Sequence, residues 1–163
     1  ARSLSQTFAG VDALSVDTSR IVSPDVPGEL RYEFTADQVA RVEGDTLVFD
    51  RVLSPRRLAT WFAPTAARER TLLIRSPVIE QATFEIVAPP GFSPRTDADV
   101  SDGTWHSDLW RRTVNVEVDR VTVTRDVRLR PQRVAPADYP SFARFAQAFE
   151  AGERVRIAFE RGL

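Results

Sequence analysis

Alternating apolar and polar positions dominate the first four fifths of the chain. Leu30, Tyr32 and Phe34 alternate with charged or hydroxyl residues, and the run from Ala82 to Ala88 has the same period before Pro89 ends it. A period of two is typical of strands with one buried face. The same reasoning predicts strands at Val11–Val22, Val39–Glu43, Thr46–Leu53, Leu58–Phe62, Arg70–Arg75 and Val155–Phe159, with a turn at Pro27–Gly28.

The segment Trp110–Arg130 predicts the clearest hairpin. Valines alternate with polar residues along both of its arms. A two-residue turn at Asp119–Arg120 pairs Val118 with Val121 and leaves the apolar side chains on one face. In this arrangement Arg125 interrupts the apolar face.

That register has a second cost, which is electrostatic. It pairs Trp110 with Leu129 and therefore puts Arg111 opposite Arg128, two like charges on neighbouring strands. Like charges directly opposite destabilise a strand pair. A bulge in the hairpin is therefore an alternative.

One segment near the end has a helical period. Asp138 is a suitable N-cap, Pro140 fits a first turn, and Gly152 lies near the end. A helix with this aromatic stripe is expected to pack on a sheet, although it could instead dock on a partner. The stripe consists of Tyr139, Phe142, Phe145, Ala146 and Phe149.

Short strands separated by turn signals, followed by one late helix, predict a mostly β fold. The expected architecture is an antiparallel β-sandwich with one C-terminal α-helix packed on it, and a barrel is the alternative. We expect a single domain over residues 1–163. Within it, residues 1–29 form an N-terminal arm or strands that continue from an upstream domain, residues 30–135 the sandwich, and residues 136–163 the helix and final strand.

Composition excludes several function classes. The 22 basic residues, all arginine, nearly balance 23 acidic ones for a net charge of -1, so no overall field attracts nucleic acid or an anionic membrane. The absence of cysteine removes disulfides, thiolate nucleophiles and sulfur-ligated metals. Apolar runs fall far short of the roughly 20 residues that cross a bilayer.

The single histidine limits acid–base chemistry. His106 lies beside Ser107 and Asp108, which are the residue types of a hydrolytic triad. Consecutive strand residues point to opposite faces, so His106 and Ser107 cannot simply face each other. We therefore expect His106 in a loop or at a sheet edge.

The acidic segment Asp97–Asp108 partly matches the spacing of a calcium-binding loop. Asp102 occupies the position where the sharp turn requires glycine, and Gly103 follows one residue late. Asp108 replaces the bidentate glutamate, and no flanking helices are predicted. An acidic, solvated connection between strands is the favoured interpretation, with ion binding left open.

Two arginine pairs stand near tryptophans along the chain and are candidates for a polyanion or glycan surface. Solvated charges, or cation–π pairs within the fold, explain the same residues. No catalytic, cofactor-binding or metal-binding residue is therefore predicted, and no cofactor. The candidates are Arg56 and Arg57 with Trp61, and Arg111 and Arg112 with Trp105.

Two stretches, Phe84–Phe92 and Ala137–Phe145, resemble the C-terminal β-domain of bacterial transglutaminase-like proteins. In that family a strand leads into a proline-glycine turn, a long hairpin follows, and an aspartate-tyrosine-proline motif starts an aromatic helix. The resemblance extends from about Leu30 to the end of the chain. It implies an upstream papain-like core that works through Cys, His and Asp, and none of those catalytic residues carries over to this chain.

The resemblance implies a non-enzymatic accessory domain that stabilises or gates the upstream core, or helps to present its substrate. The expected partner is therefore that core in the same polypeptide. The alternative is an independent carbohydrate- or protein-binding sandwich module. The start at Ala1, without methionine, favours a piece of a longer protein, and the relatives slightly favour a periplasmic or extracellular location.

Overall fold

A computed structural model describes residues 12–17, 31–35, 39–50 and 57–162 of the chain. The chain divides into two compact units, Ala1–Arg41 and Val42–Leu163. In the first unit, strands β1 (Asp12–Asp17) and β2 (Arg31–Thr35) pair in antiparallel fashion. The turn predicted at Pro27–Gly28 lies outside the described residues. The expectation of a single domain stays a prediction.

The remaining strands form two four-stranded sheets and one small pair. Sheet I has the order β6-β10-β9-β8, sheet II the order β3-β4-β12-β7, and β11 pairs with β5. The described part of the chain also contains two helices. The bounds are β3 (Arg41–Glu43), β4 (Thr46–Phe49), α1 (Leu58–Phe62), β5 (Leu72–Ile74), β6 (Val78–Val87), β7 (Phe92–Pro94), β8 (Asp99–Trp105), β9 (Asp108–Val116), β10 (Arg120–Leu129), β11 (Gln132–Val134), α2 (Tyr139–Gly152) and β12 (Ile157–Arg161).

The inner face of sheet I follows from the period of two. Alternate residues of β10 from Val121 to Leu129 are buried, whereas the residues between them are half-buried or exposed. On β9 the same alternation buries Trp110 and Val114. Because successive side chains of a strand point to opposite faces, this sequence can present one apolar face to a core.

Two separate groups of side chains cover that inner face. In the helix-covered core, Trp110, Val127 and Leu129 of sheet I pack with the buried aromatic stripe of α2. In the strand-covered core, Val114, Val121 and Val123 pack with Ile157 and Phe159 of β12. The predicted mostly β, sandwich-like fold with a C-terminal helix packed on it is confirmed.

The register of the β9–β10 hairpin differs from the predicted one by two residues. Val121 pairs with Val116, and residues 117–119 form the connection, in which the Glu117 amide donates to the Arg120 carbonyl at 2.9 Å. Val118, predicted to pair, is 92% exposed. A shift of two keeps every side chain on its face, so hydrophobic alternation alone cannot distinguish these registers.

The observed register relieves the charge conflict. Arg111 lies opposite Asp126 of β10 and opposite Asp102 of β8, where the predicted register had opposed it to Arg128. Opposite charges on neighbouring strands stabilise the pairing that like charges would disfavour. At the connection, a hydrogen bond from Arg120 lowers the pKa of the Asp119 carboxyl, and the same bond raises the pKa of Arg120.

The prediction of a strand over Leu58–Phe62 is wrong, since these residues form α1. Leu58 and Ala59 are buried. The amides of Ala59 and Thr60 donate to Oε1 of Glu150 on α2, at 2.8 and 3.1 Å. The first amides of a helix lack partners within it, so a carboxylate from α2 stabilises the start of α1.

Candidate functional site

His106 lies in the two-residue turn between β8 and β9. Its φ of 53° is in the left-handed region, which such hairpin turns require and which histidine enters more readily than most side chains. The imidazole is exposed and contacts the Trp105 ring edge-on, with 4.3 Å between centroids. His106 thus has a structural role as a turn residue.

The neighbours of His106 do not complete a triad with it. Ser107 is exposed in the turn, whereas the Asp108 carboxylate is buried. That carboxylate accepts the Arg130 amide at 3.0 Å and the side-chain amide of Gln132. It therefore ties the start of β9 to the end of β10 and is already engaged.

The segment Asp97–Asp108 is not the solvated connection expected from its acidity. Residues 99–105 form β8, with Asp99 opposite Val114 and Trp105 opposite Asp108. At about 3.3 Å of rise per residue, the two ends of β8 are roughly 20 Å apart. Asp97 and Asp108 therefore cannot hold one ion together. Within residues 12–17, 31–35, 39–50 and 57–162, no group of three His, Asp or Glu could hold a metal ion.

Of the two arginine–tryptophan candidates, the one formed by Arg111, Arg112 and Trp105 does not assemble into a surface. Arg111 points outward and Arg112 inward, because consecutive strand residues face opposite sides. Trp105 is buried, and its indole N–H donates to Ser141 Oγ at 2.8 Å. Arg57 and Trp61 are exposed at α1, and Arg56 lies outside the described residues.

A buried charged cluster lies between the two cores. Arg125, 3% exposed, stands on the inner face of β10 and forms ion pairs with Glu80 of β6 and Glu153 at the end of α2. A buried guanidinium requires such partners because the desolvation of an isolated charge is costly. The interruption of the apolar face was visible in the sequence, but the acidic partners were not.

Arg112 lies directly opposite Arg125 and is 5% exposed. It forms an ion pair with Asp99 and donates to the Arg154 carbonyl at 3.4 Å. Its Nε is buried and has no acceptor among the described residues. Separate carboxylates thus compensate the two facing guanidinium groups, and Arg112 links sheet I to the segment that leads into β12.

Beside Arg112 a cleft of about 490 Å³ opens between sheet II and the β8–β9 edge of sheet I. We call it the arginine cleft. Three carboxylates also line it, those of Glu43, Asp97 and Asp99, as do the hydroxyls of Thr46 and Thr96. This cleft is not apparent from the sequence, because its walls come from several distant segments. Its arginines are Arg95, Arg112, Arg154 and Arg156.

Neither helix that the structure describes has the length and hydropathy needed to cross a membrane.

Comparison with known protein families gives no match. Comparison with curated proteins gives none either. Among solved structures, the chain is similar to a protein from Parabacteroides distasonis named a "putative protease", with a TM-score of 0.57 and 17% sequence identity. The match covers 72% of this chain and 24% of the other, so this protein corresponds to about a quarter of that longer one. At this identity the similarity concerns the fold.

Proposed function

We propose that this chain is a non-catalytic accessory domain of a bacterial transglutaminase-like or peptidase-like multidomain protein. The observation that carries the proposal is the fold match to part of a longer chain with a protease name. In such a protein the domain stabilises or gates the core, or helps to present its substrate.

The two motifs behind the family resemblance support an architectural role. Phe84 packs on the strand-covered core, and Gly91, with φ of 81°, occupies the turn that closes the first motif. The Phe92 amide donates to the Pro89 carbonyl at 3.0 Å across that turn. The second motif starts α2, whose Tyr139 is fully buried. Both motifs therefore contribute turns and packing.

The described polar groups also favour a role without bond chemistry. Acid–base catalysis needs a positioned donor or acceptor within reach of a substrate. His106 stands on an exposed turn, and the buried Asp108 and Arg125 are engaged in structural contacts. The proposed role of the domain is therefore to support or gate the core, or to bind its substrate.

The test begins with the reading frame upstream of Ala1. We expect it to encode a papain-like core with cysteine, histidine and aspartate. That core, expressed alone, is then assayed with and without the 163-residue chain, with an unrelated sandwich domain as control. A change in the core's melting temperature or turnover is expected with this chain only. An unrelated upstream domain, or no change in either quantity, contradicts the proposal.

A second candidate function is an independent protein- or carbohydrate-binding module, which the arginine cleft favours. The two candidate functions differ in their effect on the stability and turnover of the core. An accessory domain changes the core's stability or turnover, whereas an independent module leaves both unchanged and binds its ligand alone.

A further inference from the structure

The arginine cleft has the size and chemistry of a ligand site. Its volume of about 490 Å³ falls in the range of known ligand pockets, roughly 300 to 1,000 Å³. Val114, Val155 and Ala158 supply an apolar surface, and polar groups surround it. A cleft of this kind can orient a small ligand or a short peptide segment.

Three of the four arginines in the cleft already have carboxylate partners. Arg156 donates to Glu43 at 2.6 Å, and Arg112 pairs with Asp99. Arg95 reaches Glu160 at 3.3 Å. Within the part of the chain that the structure describes, Arg154 has no ion-pair partner. Its guanidinium is thus the group in the cleft that an external anion can engage without breaking an internal pair.

The segment that carries Arg154 is held in place. Val155 is buried in the strand-covered core, while Arg154 and Arg156 on either side are exposed and line the cleft. The buried Arg112 fixes the same segment through its hydrogen bond to the Arg154 carbonyl. A receptor group on an anchored backbone loses less conformational entropy on binding than one on a free loop.

The charges of the lining select the kind of anion. The pairs Arg156–Glu43, Arg112–Asp99 and Arg95–Glu160 neutralise three of the guanidinium groups. Among the described residues, this leaves the guanidinium of Arg154 and the carboxylate of Asp97 without ion-pair partners in the cleft. A multiply charged phosphate would meet repulsion from Glu43, Asp97 and Asp99, whereas a single carboxylate matches the one charge of the Arg154 guanidinium. The Asp97 carboxylate and the Thr46 hydroxyl suit the amide groups beside a carboxylate in a peptide, whereas Thr96 Oγ1 already accepts the Ala158 amide at 2.7 Å.

We propose that the arginine cleft binds an acidic side chain of a polypeptide segment, with Arg154 as the receptor of the carboxylate. The guanidinium can hold a carboxylate in a two-pronged hydrogen bond. This inference stands apart from the proposed accessory role, because binding is measured on the 163-residue chain alone.

The probe is the blocked peptide acetyl-Ala-Ala-Glu-Ala-Ala-amide, compared with the same peptide carrying glutamine. Titration is followed by NMR at the backbone amides of residues 154–156. We expect saturable shifts, with at least about tenfold weaker binding for the glutamine peptide. Binding should also weaken as salt increases. Equal binding of the two peptides overturns the proposal without depending on any variant.

A matched pair of variants locates the contact. Arg154→Gln should weaken binding of the glutamate peptide at least about tenfold, whereas Arg144→Gln, at an exposed position of α2, should not change it. Inorganic phosphate should compete poorly. Unchanged binding by Arg154→Gln, an equal loss in Arg144→Gln, or tighter binding of phosphate than of the peptide overturns the assignment. Thermal unfolding of each variant verifies that it is folded.

Discussion

The two cores on sheet I are built from different side chains. In the helix-covered core, phenylalanine rings of α2 meet tryptophan rings of sheet I at steep angles. The pairs are Phe149 with Trp110 and Phe142 with Trp105. In the strand-covered core, valines of sheet I meet β12, and Phe159 with Phe49 forms an edge-on pair. The first core depends on the fit of large rigid rings, and the second largely on β-branched side chains that suit a pleated surface.

The boundary between the cores is where the chain leaves α2 for β12. Glu153 caps the end of α2 and forms its ion pair with Arg125 there. A positive group is favourable beside the C-terminal end of a helix, which carries partial negative charge. The charged cluster therefore fills the position where the covering element changes from a helix to a strand.

The largest expected effect on stability comes from a substitution at this boundary. Arg125→Ala leaves the carboxylates of Glu80 and Glu153 without their guanidinium, and the free energy of unfolding should fall by about 3–5 kcal/mol. Urea denaturation measures the change. The control is Arg128→Ala on the outward face of the same strand, where an exposed pair with Asp126 should contribute less than about 1 kcal/mol. Equal effects at both positions would contradict a structural role for the buried cluster.

A smaller effect is expected where the Trp110 ring meets α2. A Cβ at Gly152 would lie 2.5 Å from Cη2 of Trp110, a buried ring that cannot easily move. Gly152→Ala should therefore lower the free energy of unfolding by about 1–3 kcal/mol through overpacking. The control is Gly162→Ala, whose Cβ would meet its nearest atom at 3.7 Å. If Gly152→Ala is as stable as this control, the ring is less tightly confined than the structure describes.

The sequence was informative wherever local spacing decides the structure. The aromatic stripe of α2 and the interruption at Arg125 follow from periods of 3.6 and 2. The start of α1 was not predictable in this way, since its stabilising carboxylate, Glu150, lies about 90 residues away. Strand β8 was not predicted because its aspartates are poor strand formers. Their partners on β9, Arg111 opposite Asp102 and Arg112 in an ion pair with Asp99, can be identified only once the pairing of β8 with β9 is known.

The same reasoning explains why the candidate site was missed. The arginine cleft combines β3, β4, the β7–β8 connection, β9 and the segment before β12, and no motif spans these pieces. Arg112 was noted in the sequence only as half of an arginine pair. Its inward direction follows from the strand period, but its support of the Arg154 backbone depends on how sheet II packs on sheet I.

The smallest expected effect is the energetic coupling between substitutions in the two cores. Phe149 belongs to the helix-covered core and Phe159 to the strand-covered core, and both are fully buried. Phe149→Leu and Phe159→Leu should each destabilise by about 0.5–3 kcal/mol. Because the two residues share no core cluster, the double variant should equal the sum within about 0.5 kcal/mol. A urea-denaturation cycle measures this, with Phe142→Leu and Phe149→Leu as the reference pair within one core. A larger coupling across the boundary than within the helix-covered core would mean that the charged cluster transmits packing changes and does not separate two cores.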